Sequence, residues 1–135
     1  MSSEAKKAFY DSVGNDIAIT YHEKECLNAV LDCIIRHNGN INMLSLERRS
    51  NDYLSVICCQ NDFLRIKATK RTLWFSFDAW VIERSGFESL LSPLTSIVKN
   101  TNQRHWKIPL ANPSDVLNYS EYIFMAYSLS GGEEI

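Results

Sequence analysis

The chain has 135 residues, 45% of them hydrophobic, with 14 basic and 16 acidic side chains and a net charge of −2. That length suits one domain burying roughly two thirds of its unfolded surface, so stability requires neither a disulfide nor a metal. No apolar run approaches the roughly 20 residues of a membrane span and no apolar leader opens the chain, which excludes a membrane-embedded protein and makes a cytoplasmic one the expectation.

Residues 1–15 read as a short helix or a mobile arm ending at Gly14-Asn15. Thr20 with Glu23 three residues on is a capping-box pattern, and Leu27, Val30, Leu31 and Ile34 follow at helical spacing until His37-Asn38-Gly39, predicting a helix over 21–36. His37 then lies where a cation complements the helix dipole. Met43, Leu44 and Leu46 predict a short strand, with a loop through Asp52. Residues 53–80 predict a three-stranded antiparallel meander. Leu54 to Cys59 form its first strand and Gln60-Asn61-Asp62 its first turn; Leu64, Ile66 and Ala68 alternate with Phe63, Arg65 and Lys67, and Leu73, Phe75 and Phe77 with Trp74, Ser76 and Asp78. One face is therefore apolar, and the other presents Arg65 and Lys67 near Trp74 and Ser76.

After a break at Glu83–Gly86, Ser92-Pro93 predicts an N-cap and first residue for a helix from Leu94 to Asn100. Trp106, Ile108 and Leu110 alternate with His105, Lys107 and Pro109, predicting a strand whose proline places it at an edge or a strand end. Asn112-Pro113-Ser114-Asp115 opens a closing helix over 115–127, and residues 130–135 read as frayed. The fold class expected is α+β: a mostly antiparallel sheet built on the meander and packed against the helices at 21–36 and 115–127, as a single domain.

Charge is unevenly distributed. Residues 63–110 hold eight basic and three acidic groups, a balance of +5, leaving −7 for the rest. The densest constellation is Arg65, Lys67, Lys70 and Arg71, with Lys70-Arg71 at a hairpin tip and no acid among them. Such a tip can grip phosphates or an acidic protein, with Trp74 and Phe63 as stacking surfaces; strand edges also use lysine and arginine simply to stay soluble. Trp74, out of phase with its apolar neighbours, marks a contact surface if the sheet is covered on one face only, and is core if a helix covers that face too.

Catalytic chemistry is not signalled. A restriction-type nuclease needs a carboxylate two residues before a lysine on a strand, but the tripeptide here is Arg65-Ile66-Lys67, and Asp52 and Asp62 are expected in loops. His22, His37 and His105 have no ligand spacing, the serines offer no nucleophile elbow, and the glycines form no phosphate loop. Cys26 and Cys33 lie seven apart on a helix, and Cys58 and Cys59 are adjacent on a strand and point to opposite faces, so all four read as buried free thiols. No cofactor, metal or catalytic residue is expected.

Phe63-Leu64-Arg65-Ile66-Lys67, Lys70-Arg71-Thr72-Leu73-Trp74-Phe75, His105-Trp106-Lys107-Ile108-Pro109-Leu110, and Ser114-Asp115-Val116-Leu117 with Ala126-Tyr127 resemble an uncharacterised prokaryotic domain family labelled a predicted transport protein, found alone or attached to restriction- and nuclease-related proteins. The resemblance spans residues 53–127, departs at the insertion Asp78–Thr101, and implies an αβ meander in a prokaryotic or phage setting without supplying catalytic residues. The expectation is a non-enzymatic module that binds or inhibits a protein partner in a defence context through Phe63, Arg65, Lys67, Lys70, Arg71 and Trp74. The alternative is a nucleic-acid-binding accessory domain using the basic hairpin.

Overall fold

Period-two alternation in the middle of the chain builds the sheet. The computed structural model describes residues 2–14, 17–49, 53–85, 96–100 and 103–132. Strands β1 (Leu44–Arg48), β2 (Tyr53–Cys58), β3 (Asn61–Ala68), β4 (Leu73–Asp78), β5 (Ser96–Asn100) and β6 (Gln103–Pro109) form a six-stranded sheet in the order β1-β2-β3-β4-β6-β5. Every neighbouring pair is antiparallel. The meander is β2-β3-β4, and Pro109 stands at the end of β6, where a missing N–H costs least. Ser96–Asn100, expected as helix, is instead a strand paired with β6; β-branched Ile97 and Val98 favour extended backbone, and the register offers them Trp106 and His105 as partners. Of the break expected at Glu83–Gly86, Glu83 to Ser85 are instead helical, while Gly86 and the expected cap at Ser92 and Pro93 lie outside the described residues.

The helices cover the apolar face. Helix α1 (Ser2–Val13) is tied down by Phe9, which is 1% exposed within the core, so it contributes packing that its polar composition does not advertise. Helix α2 (Tyr21–Arg36) starts at the expected capping box: the Glu23 amide donates to Thr20 Oγ1 at 3.1 Å, and the Thr20 amide donates to Glu23 Oε1 at 2.9 Å. It lies across β3 and buries Leu27, Val30, Leu31 and Ile34. Ala79 and Trp80, expected in the third strand, open helix α3 (Ala79–Ser85), and Trp80 reaches back to donate its indole N–H to the Asp62 carbonyl at 3.2 Å.

The closing element is two pieces rather than one. A 3-10 segment, Pro113–Tyr119, precedes helix α4 (Ser120–Leu129). Ser114, Asp115 and Asn118 compete for backbone hydrogen bonds and weaken α-helical continuity, and the Asn112 amide donates to Asp115 Oδ2 at 3.0 Å. Ser130, expected to fray, is buried. Tyr127 fastens this end: its hydroxyl accepts from the Asn40 amide at 2.8 Å and lies 3.2 Å from the carbonyls of Asn40 and Gly132.

The first hairpin turn falls earlier than expected, at Cys59 and Gln60, with φ of 52° and 72°. Two consecutive left-handed residues make a two-residue turn whose twist matches the strands, a role glycine fills at least cost. Asn61 and Asp62 are consequently in β3, and the register shifts between Val56↔Leu64 and Ile57↔Asp62, leaving Phe63 as an unpaired bulge residue. Replacing Gln60 by glycine relieves the left-handed strain, so Gln60→Gly is expected to raise stability by up to about 1 kcal/mol. Urea unfolding checks this as a higher midpoint at unchanged slope.

Candidate binding face

Alternation along each strand sends one set of side chains away from the helices. Because the register is known, these fall into rows crossing the sheet. One row runs Glu47, Ser55, Arg65, Ser76, Lys107, and the next runs Tyr53, Lys67, Trp74, Pro109. Lys67 therefore stands between two aromatic residues on the strands either side of it. The rings of Tyr53 and Trp74 approach to 6.5 Å between centroids. Arg65 lies 5.7 Å from the Tyr53 centroid and Lys107 lies 4.4 Å from that of Trp74, so cations and rings alternate.

Trp74 is half-buried, braced by Lys107 and Tyr53, while the helices pack on the opposite face. Lys67 is half-buried as well, and Lys70 and Arg71 are exposed at the β3–β4 tip. That tip is held by Thr69, whose hydroxyl accepts from the amides of Thr72 at 3.0 Å and Arg71 at 3.3 Å. The turn is thus ordered by backbone bonds, leaving both cationic side chains at the surface.

Two of the six expected contact residues play other roles. Phe63 is fully buried in the core, because the bulge turns it to the same side as Leu64 and breaks the alternation that would have exposed it. Arg65 is not an uncompensated charge. The same bulge brings Asp62 onto the outer face, where its Oδ2 accepts from Arg65 Nε at 3.4 Å, Arg49 Nη2 at 3.1 Å and Ser55 Oγ at 2.9 Å. Arg49 also pairs with Glu47 at 3.1 Å. This cluster neutralises one end of the face and concentrates positive potential on Lys67, Lys70, Arg71 and Lys107. Tyr53, Arg49, Asp62 and Lys107 belong to the face and were not singled out from sequence. Tyr53 and Lys107 were within reach of the alternation rule applied to every strand, whereas Asp62 depends on the bulge.

Three of the four cysteines are buried free thiols as expected, and Cys59 is not. Burial pushes the thiols of Cys26, Cys33 and Cys58 up to about 12. Cys59 is exposed, and its left-handed turn conformation carries it round to Cys58, with the two sulfurs 3.8 Å apart rather than on opposite faces.

A cleft of about 440 Å³ opens between the end of α1 and the segment entering α2, with Tyr10 and Lys24 in its wall. Tyr10 donates to Asn28 Oδ1 at 2.6 Å, and burial with the nearby Asp32 raises its pKa well above the ordinary value, so its phenol stays protonated. Among the described residues no three His, Cys, Asp or Glu side chains gather to hold a metal ion, and no helix is long and apolar enough to cross a membrane. Comparison with family models, curated proteins and solved structures finds no match for the chain.

Proposed function

We propose that the protein is a non-enzymatic binding module whose outer sheet face engages an acidic protein partner. The observation that carries this reading is the row Tyr53, Lys67, Trp74 with Lys107 over the indole, continued by the exposed Lys70-Arg71 tip. Half-buried aromatics braced by cations have the composition of interface hot spots, because they are pre-ordered and desolvate cheaply. Carboxylates presented by a partner would meet Lys67, Lys70, Arg71 and Lys107. Nucleic-acid binding is the weaker reading. Stacking bases need free ring faces, and here Arg65 lies near one ring and Lys107 near the other. The prokaryotic or phage defence setting enters this proposal through the sequence resemblance and the cytoplasmic location through the sequence's lack of an apolar span or leader, with inhibition one outcome of binding.

The test is affinity capture from host lysate with immobilised wild type and with a Trp74→Ala, Arg71→Glu double variant. A captured protein that survives moderate salt and is lost from the variant supports the face. Capture unaffected by the double variant overturns it. In parallel, titration with duplex DNA, single-stranded DNA and RNA should show no binding at low salt. Binding with a log–log salt slope of about −3 to −4, abolished by reversal at Lys70 and Arg71, would instead assign the four cations to phosphates.

A further inference from the structure

The paired thiols at the β2–β3 turn stand apart from the binding face and have a chemistry of their own. Cys58 ends β2, facing the core, and Cys59 is exposed at the first position of the turn. The Cys58 thiol donates to Cys59 Sγ across 3.8 Å, and the Cys59 thiol donates to the Gly131 carbonyl across 3.4 Å. The pair is therefore a short relay with one sulfur at the surface and the other directly behind it.

Two covalent outcomes compete at such a pair. A disulfide requires the sulfurs to close to about 2.0 Å and favours Cα atoms about 4.4–6.8 Å apart. Neighbouring residues hold their Cα atoms only about 3.8 Å apart, so a bridge between Cys58 and Cys59 is strained. A single atom bonded to both sulfurs makes a different demand. Bonds of about 2.3 Å opening at a near-tetrahedral angle set the two sulfurs about 3.8 Å apart. The observed separation matches that bite, and the slightly narrower angle of trivalent arsenic needs only a small side-chain adjustment.

Proton accounting narrows the class of ligand. A divalent metal must displace two protons to solvent, which a buried thiol resists. An oxo-arsenical carries its own proton acceptor: in Ph–As=O + 2 RSH → Ph–As(SR)₂ + H₂O, two As–S bonds form, the arsenic–oxygen bond breaks, and both thiol protons leave in water. No oxidant or reductant takes part and arsenic stays trivalent. Burial, which pushes the Cys58 thiol up to about 12, is thus compatible with this reaction and opposes metal thiolate formation.

We propose that Cys58 and Cys59 form a dithiol capture site for trivalent arsenicals, arsenite and organoarsenous acids, with Cys59 as the point of entry and Cys58 closing the chelate. Occupation consumes the thiol proton that Cys59 gives Gly131, removing one tie between the turn and the segment after α4, while the Asn61 side-chain amide still donates to the Ser130 carbonyl at 3.0 Å.

The probe is phenylarsine oxide added to the reduced, full-length chain, followed by native mass spectrometry. One adduct per chain is expected, resistant to glutathione and reversed by 2,3-dimercaptopropanol, as two-point attachment requires. Cys59→Ser, an exposed change that leaves the core intact, should weaken binding about 10²–10⁴-fold by removing the second, intramolecular bond. Cys58→Ser should do the same, and Cys26→Ala should leave the adduct in place. Absence of a dithiol-reversible adduct on folded wild type, or its persistence in Cys59→Ser, overturns the proposal.

Discussion

Replacing Arg48 by alanine should cost about 3–5 kcal/mol, a large part of the 5–15 kcal/mol that typically holds a domain together. Glu23 is 2% exposed, and Arg48 grips it with two bonds of 2.7 Å, Nη1 to Oε2 and Nη2 to Oε1. The same carboxylate closes the capping box at the start of α2, so the ion pair joins β1 to α2. Without Arg48 the carboxylate is left charged in the interior, which is worse than having no pair at all. The pH dependence follows. Burial pushes the Glu23 pKa up, but the Arg48 guanidinium and the Thr20 amide outweigh it, holding the group below its ordinary 4.5. A folded-state pKa below the unfolded one contributes stability that is complete above about 4.5 and lost as pH falls through the folded value. In Arg48→Ala burial is opposed only by the Thr20 capping bonds, so the Glu23 pKa rises relative to wild type and protonation costs the variant less. Urea unfolding at several pH values should show the gap between wild type and variant narrowing as the solution is acidified. A gap that stays constant would mean the pair contributes geometry without charge.

Phe63→Ala and Trp74→Ala should separate cleanly, although both residues sit on the meander among basic neighbours. Phe63 is fully buried, and its truncation leaves a cavity costing about 3–5 kcal/mol. Trp74 is half-buried on the outer face, where the loss of contact with Tyr53 and Lys107 should cost only about 1–2 kcal/mol. Binding should respond in the opposite order, weakened more by the tryptophan change than by its small stability effect explains. Denaturation midpoints measured alongside partner capture check both halves. Equal stability losses would place Phe63 back at the surface.

The contrast between these two aromatics shows where sequence reasoning succeeded and where it stopped. The meander was legible because Leu64, Ile66 and Ala68, and Leu73, Phe75 and Phe77, each repeat with period two, and no other regular structure sorts them onto one face. Helix α2 was legible because Thr20 and Glu23 announce its first turn. What failed has a common cause, which is a local departure from a regular period. A single bulge residue reverses the side on which Phe63 falls, and with it the neutralisation of Arg65 by Asp62. Cys59 reads as a strand residue by type, and only its left-handed backbone brings it beside Cys58. Ser96–Asn100 is a separate case: Ile97 and Val98 already favour extended backbone, and pairing with β6 adds the tertiary partner that the helical reading from Ser92-Pro93 left out.

The fastening of Tyr127 has a bearing on how the chain reaches this state. Its hydroxyl meets Asn40 across 87 positions in sequence, and Cys33 meets the Val116 carbonyl across 83. During synthesis at roughly 5–20 residues per second, α2 and the meander leave the ribosome seconds before the segment that seals them. In that interval the apolar flank of α2 and the edge of the growing sheet stand open to water and to other chains. Folding of this protein should therefore be slow for its size, and its yield sensitive to concentration and to chaperones, because the segment that locks α2 is made well after the parts it seals.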